Sequence, residues 1–236
     1  LGGQAIVVTW CHLCHNAIVY DARAGGRKLT LFVAGMLWKR NLVMQDVETK
    51  SLWSHMLSQA MDGPLKGTRL KLLPSVLTTW QAWHRLHPES TAVILDRSSQ
   101  DYEKRFYRDL TQFVFGYATQ RRSRAWRFDR LAQQPVVNDQ LGDKHLLIVF
   151  DAESTAAWLY DRNVEGRTLA FESAGSRVFD RETGSHWDPA QGQAVAGPLK
   201  GKKLQRLVGI VAYRQVWHDF YPGSSYWETE ISREQQ

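Results

Sequence analysis

The 236-residue sequence has only two cysteines, Cys11 and Cys14, and both belong to one Cys-x-x-Cys motif. That scarcity excludes a disulfide-rich scaffold and leaves the redox compartment open. No apolar run approaches the roughly 20 residues that span a bilayer as a helix. The longest, over residues 5–10, suits a buried strand. No secretory leader is legible in these residues, and Leu1 is not an initiator methionine. The expectation is therefore a natural polypeptide that extends further upstream, where any targeting or membrane segment would lie. No Ser-His-Asp order, paired-carboxylate motif or His-Glu-x-x-His is legible, although triads assemble in space and their absence from the linear order excludes little. A net charge of +6 is compatible with an anionic partner but reads first as a basic surface.

What the chain does have is ten tryptophans and an internal duplication. Leu1-Gly2 matches Leu141-Gly142, and Ala17-x-x-Tyr20-Asp21 matches Ala157-x-x-Tyr160-Asp161. Asp46-x-Glu48-Thr49-x-Ser51-x-Trp53 matches Asp180-x-Glu182-Thr183-x-Ser185-x-Trp187. Gly63-Pro64-Leu65-Lys66-Gly67 returns as Gly197-Pro198-Leu199-Lys200-Gly201, and Trp83-His84 with Pro88 as Trp217-His218 with Pro222. Constant order over so many matches means one unit made twice. Residues 135–140 precede copy 2 without a counterpart ahead of copy 1.

Each unit reads as strands closed by a short helix. Residues 4–10 and 145–150 are continuous apolar runs, as in strands buried on both faces. Residues 27–33 and 166–171 alternate with period two. The Gly-Pro-Leu-Lys-Gly segments are tight turns leading into strands at 69–73 and 204–211. Trp80, Trp83 and Leu86 share a helical face capped by Thr78 or Thr79 and stopped by Pro88. Between the copies, residues 101–110 form a charged, aromatic excursion, while 112–117 and 124–128 are further strands. The expected fold is mainly β (α+β): two diverged repeats of an antiparallel β-rich unit, each ending in a short helix, packed as one pseudo-twofold body. Its parts are repeat 1 over residues 1–97, N-terminally incomplete, a connecting segment over 98–135, and repeat 2 over 136–236.

The stretch Val8-Thr9-Trp10-Cys11-His12-Leu13-Cys14-His15-Asn16-Ala17 resembles the Val-Thr-Tyr-Cys-Pro-Leu-Cys-x-x-Ala signature of the bacterial domain-of-unknown-function 3179 family. Asn41-Leu42-Val43-Met44, Ser51-Leu52-Trp53-Ser54, Thr79-Trp80 and Val137-Asn138-Asp139 continue the pattern. The resemblance implies a cell-envelope or periplasmic setting, since members look exported or membrane-tethered, but implies no reaction. Here His12 stands where Pro is usual, His15 follows the second cysteine, and His55 replaces a usual Gln.

Comparison of the copies directs attention to copy 1. Residues present in both serve the shared fold, and copy 2 is the degenerate, structural one. Cys11 and Cys14 become Asp151 and Ser154, while His12, His15 and His55 align with Ala152, Thr155 and Pro189. The segment from Met36 to Met44 is an insertion. Two thiolates three positions apart suit a soft metal, a reversible disulfide or a structural staple. A metal site would take Cys11, Cys14, His15, His55 and Met44, with His12 as a further candidate. Thiolate and thioether favour copper(I), and thiolate with imidazole favours zinc. Cys11-His12-Leu13-Cys14-His15 also fits the c-type haem attachment pattern, with His15 and Met44 as axial ligands, but such cytochromes are helical and this motif follows a strand. The leading expectation is a cell-envelope metal or thiol-redox protein. If it is an enzyme, bound copper or an activated thiolate acts on a small substrate in a Trp-lined cleft. The alternative is a non-catalytic binding or assembly module whose Cys pair is a staple. Arg121-Arg122-Ser123-Arg124-Ala125-Trp126-Arg127 interleaves basic and aromatic residues, yet reads as a solvated edge strand and not as a nucleic-acid surface.

Overall fold

A computed structural model describes residues 2–93 and 109–228; the expected excursion over 101–110 lies almost wholly outside them. The chain is mainly β, and its two copies repeat the same sequence of elements. Each opens with an antiparallel hairpin, Ile6–Cys11 with Asn16–Asp21 and Lys144–Asp151 with Ala156–Asp161. The registers agree, because Cys11 faces Asn16 as Asp151 faces Ala156. A miniature hairpin follows, Arg23–Ala24 with Arg27–Lys28 and Asn163–Val164 with Arg167–Thr168. Then comes a four-stranded meander: Leu31–Trp38, Asn41–Asp46, Leu52–Ser54 and Gln59–Asp62 in copy 1, and Phe171–Ala174, Arg177–Asp180, His186–Asp188 and Gln193–Ala196 in copy 2.

The matched residues build matched networks. Asp46 accepts from the Trp53 indole Nε1 at 2.9 Å and from the Thr49 hydroxyl at 2.8 and 2.9 Å. Asp180 accepts from Trp187 at 2.9 Å and from Thr183 at 2.8 and 3.0 Å. The Ser51 and Ser185 hydroxyls accept the Leu65 and Leu199 amides, at 3.0 and 2.9 Å. Each turn closes from Lys66 N to Gly63 O or from Lys200 N to Gly197 O, at 3.0 and 3.1 Å. Gly63 and Gly197 have φ of +87° and +90°, and a Cβ on either would stand 2.7 Å from the Cα of Ser51 or Ser185. Only glycine meets both conditions. The duplication thus preserves a buried carboxylate that holds a tryptophan in place.

A further four-stranded sheet lies between the copies. It orders Ile210–Tyr213, Phe113–Ala118, Ser123–Arg127 and Ser225–Tyr226. Its period-two alternation serves both sides: Val114, Ala125 and Ala212 enter the core of copy 1, while Phe113, Phe115, Trp126 and Val211 enter a core shared with Leu146, Ile148 and Phe150 of copy 2. Gly116 is needed here, since a Cβ would meet the Trp217 ring at 2.3 Å.

Four sequence expectations change. Residues 27–33 and 166–171 are not single strands, because Leu29 N and Leu169 N turn back to Ala22 O and Arg162 O at 2.7 and 3.0 Å, burying both leucines. Residues 69–73 alternate their bonds between two neighbours, with Leu70 N on Ser58 O and Leu73 N on Val19 O at 2.8 Å each, so only isolated bridges form. Residues 204–211 are likewise split, into Gln205–Arg206 and Ile210–Tyr213. Ser123–Arg127 is no solvated edge: it is paired on both sides, and Trp126 is buried with its Nε1 donating to Asp139 Oδ2 at 2.8 Å.

The two terminal helices form as expected but are used differently. Thr79 caps Trp80–Leu86 by accepting the Ala82 amide at 3.2 Å, yet the helix buries none of its residues. Arg214–Phe220 buries Val216, Trp217 and Phe220. Both indoles donate to a serine seven residues on, Trp83 to Ser90 and Trp217 to Ser224, each at 2.9 Å.

Candidate functional site

The strand Ile6–Cys11 ends in a tight turn in which Cys14 N donates to Cys11 O at 3.3 Å and His15 takes φ of +48°. This turn brings the two sulfurs to 2.7 Å, with Cys11 4 % and Cys14 0 % exposed. Cys14 Sγ also lies 2.9 Å from Arg40 O, a donor–acceptor contact from the insertion in copy 1. The pair is electrostatically unequal. The hydrogen bond from Cys14 holds Cys11 down to about 6, against burial and with help from backbone hydrogen bonds at Leu42, Cys14 and Leu13. Cys14 is pushed up, first by that same hydrogen bond, then by burial and by the Cys11 charge. A thiolate at Cys11 with a protonated partner at Cys14 is the arrangement of an attacking and a resolving thiol.

In copy 2 the turn keeps its backbone, with Thr155 at φ of +55°, but loses its sulfur. The Ser154 hydroxyl donates to Asp151 Oδ2, and Glu153 N donates to Asp151 Oδ1 at 3.1 Å. A hydroxyl–carboxylate bond stands in place of the thiol–thiol contact.

Under the Cys pair runs a buried polar chain. His55 Nε2 lies 2.8 Å from the Thr9 hydroxyl, and His55 Nδ1 lies 3.3 Å from Asn41 Oδ1. Asn41 Nδ2 donates to Asn16 Oδ1 at 3.5 Å, and Asn16 Nδ2 reaches Met56 Sδ at 3.3 Å. Asn41 also hydrogen-bonds Cys14, lowering its pKa in part. Burial pushes His55 down to about 3, so the ring is neutral. Copy 2 places Val149, Ala156, Pro189 and Ala190 where copy 1 has Thr9, Asn16, His55 and Met56. Thr9, Asn16, Asn41 and Met56 escaped the sequence reading; for three of them the signal was there, as a polar or thioether side chain aligned with an apolar one.

The proposed metal set is distributed. His55 has both ring nitrogens engaged with Thr9 and Asn41. His15 is buried edge-on against Tyr213 and Trp10, with centroids 4.9 and 5.9 Å away, and burial first, then the His12 charge, lowers its pKa. His12 is exposed on the turn, and Met44 packs in the same apolar core as the cysteines. Among the described residues, no three His, Cys, Asp or Glu side chains gather as metal ligands.

Helix Arg214–Phe220 of copy 2 seals the site. Tyr213 N approaches Cys14 O at 3.4 Å, and the Tyr221 hydroxyl donates to Met56 O at 3.2 Å. Arg40 pairs with Asp219 at 2.9 Å, and Trp38 stacks edge-on against Phe220 at 5.1 Å. Beside the turn lies a cleft of about 390 Å³ lined by Leu13, Arg40, Gln112, Tyr213, Gln215 and Val216. The tryptophan-lined cavity is elsewhere, about 470 Å³ between helix Trp80–Leu86 and the sulfur-free turn of copy 2, with Trp83 and Trp158 in its walls.

The model of the family described as protein of unknown function, DUF3179, matches residues 1–112 and again 103–224. The chain belongs to the DUF3179 family. Each match takes in the hairpins, meander and helix of one copy, and the second also takes in the strands Phe113–Ala118 and Ser123–Arg127. No curated protein and no solved structure matches the chain.

Proposed function

We propose that this DUF3179 protein is a thiol–disulfide redox protein of the cell envelope, with Cys11 as attacking thiolate and Cys14 as resolving thiol. The observation that carries the reading is the 2.7 Å contact between two inequivalent sulfurs in copy 1 only. Against a small disulfide R–S–S–R, Cys11 attacks one sulfur and expels R–S⁻, leaving a mixed disulfide. Cys14 then surrenders its proton, attacks Cys11 Sγ and expels the second R–S⁻. The balance is one protein disulfide and two R–SH for one protein dithiol and one R–S–S–R. The cleft at Leu13, Arg40 and Tyr213 is the approach for a small substrate.

Equilibration with glutathione buffers of graded potential, read by the loss of two hydrogens in the intact mass, tests this. One two-electron transition that vanishes in C11S and in C14S is expected. Thiols that stay reduced across the series, or that take up copper(I) or zinc stoichiometrically and then resist oxidation, would return the pair to the metal reading. Oxidation-inert thiols whose double replacement only lowers stability would make the pair a staple in a binding module.

A further inference from the structure

The strand Ile6–Cys11 is paired on one side only among the described residues. Its equivalent in copy 2, Lys144–Asp151, is paired on both, since Val136–Leu141 runs antiparallel along its other edge from Val136↔Val149 to Leu141↔Lys144. The burial follows. Val8 is 67 % exposed where Ile148 is 0 %, and Trp10 is 45 % exposed where Phe150 is 3 %. Across from this open edge stands Leu31–Trp38 with Val33 65 % exposed, and between the two strands lies a groove of about 160 Å³ floored by Leu42 and Met44. In copy 2 the corresponding space is bridged by one side chain: Asn138 Nδ2 donates to Phe171 O at 2.7 Å, and Phe171 N donates to Asn138 Oδ1 at 2.8 Å.

We infer that the groove between Ile6–Cys11 and Leu31–Trp38 is the seat of an added antiparallel strand of the Val136–Leu141 type, supplied by the protein's own polypeptide ahead of copy 1. An open edge flanked by exposed apolar side chains recruits a strand by completing its ladder, and the alternate side chains set the register. Carrying over the copy 2 register pairs the strand with residues 4–9. Its third residue is an asparagine that clamps the backbone of Leu31, the counterpart of Phe171. Such a strand lies along Thr9, whose hydroxyl faces His55, and so roofs one end of the polar chain under the Cys pair. The assignment stands on the two edges alone and is independent of the redox reading.

A synthetic peptide with the sequence of residues 135–141 is the probe, added to the 236-residue protein. Expected are saturable binding with a Kd below about 1 mM, a blue shift of Trp10 emission absent in W10F, and slowed amide exchange in residues 4–9. Alanine at the asparagine position of the peptide should weaken binding at least tenfold. So should Val33→Glu, which circular dichroism should show to be folded because Val33 faces solvent. A peptide that leaves exchange in residues 4–9 unchanged, or a scrambled peptide that binds as well, would overturn the assignment.

Discussion

The turn over residues 11–15 and the turn over residues 151–155 share a backbone, down to a left-handed residue at the same place, His15 in one and Thr155 in the other. They differ in what that backbone carries. In copy 1 two sulfurs touch above a buried chain of Thr9, His55, Asn41, Asn16 and Met56; in copy 2 a serine caps an aspartate above apolar residues. Buried polar groups cost stability unless each is hydrogen-bonded. A fold that stands without such a chain in copy 2 has no structural need of it in copy 1. The comparison therefore separates scaffold from chemistry more sharply than either copy alone.

The largest effects should fall on what the copies share. Asp46→Ala and Asp180→Ala each strand a buried indole N–H and a threonine, and each should lower unfolding free energy by about 3 kcal/mol. Denaturant titration reads this, and losses that differ by more than about 1 kcal/mol would mean the two carboxylates are not equivalent supports. Next comes His55, where the copies diverge. Burial depresses its pKa to about 3, so the unfolded chain, titrating near 6.5, binds the proton more readily. The stability this group contributes is complete above about pH 6.5 and is lost as the pH falls toward 3. H55Q should flatten that part of the pH–stability curve, and an unchanged slope would place the sensitivity elsewhere.

Grafting the pair sharpens the contrast without a large cost in stability. D151C/S154C in a C11S/C14S background should yield a first thiol below the ordinary value of about 8.5 but less acidic than Cys11, because the partner-thiol hydrogen bond is kept while the backbone hydrogen bond at Leu42 has no counterpart in copy 2. A grafted thiolate as acidic as that of Cys11 would assign the effect to the turn alone. The smallest effect is expected at Arg40–Asp219, where Arg40 is 67 % exposed in its side chain. R40A should cost no more than about 0.5 kcal/mol, because solvent screens such pairs.

Much of this was legible in the chain itself. The duplication, the mainly β character, the Gly-Pro-Leu-Lys-Gly turns, the Thr79 cap and the location of the Cys pair in copy 1 all follow from residue patterns that local physics constrains. The sheet between the copies was only half legible. Phe113–Ala118 and Ser123–Arg127 alternate as strands do, but nothing local reveals that their two faces serve two different cores. Arg124 and Arg127 made the second strand look solvated, whereas burial of Trp126 between them depends on Asp139, a partner distant in sequence. The geometry of the candidate ligand residues was not legible for the same reason. His15 and His55 are near the cysteines in sequence or in space, yet the directions of their side chains are fixed by Tyr213, Thr9 and Asn41, contacts that spacing does not encode.

The central claim is that Cys11 and Cys14 form an inequivalent, reactive dithiol. Alkylation of the reduced protein with iodoacetamide across pH 4–10, with each cysteine followed by peptide mass, measures it most directly. Cys11 should label with a midpoint near 6 while Cys14 stays unlabelled through pH 9. Two cysteines labelling together with a midpoint near 8.5 would contradict the account.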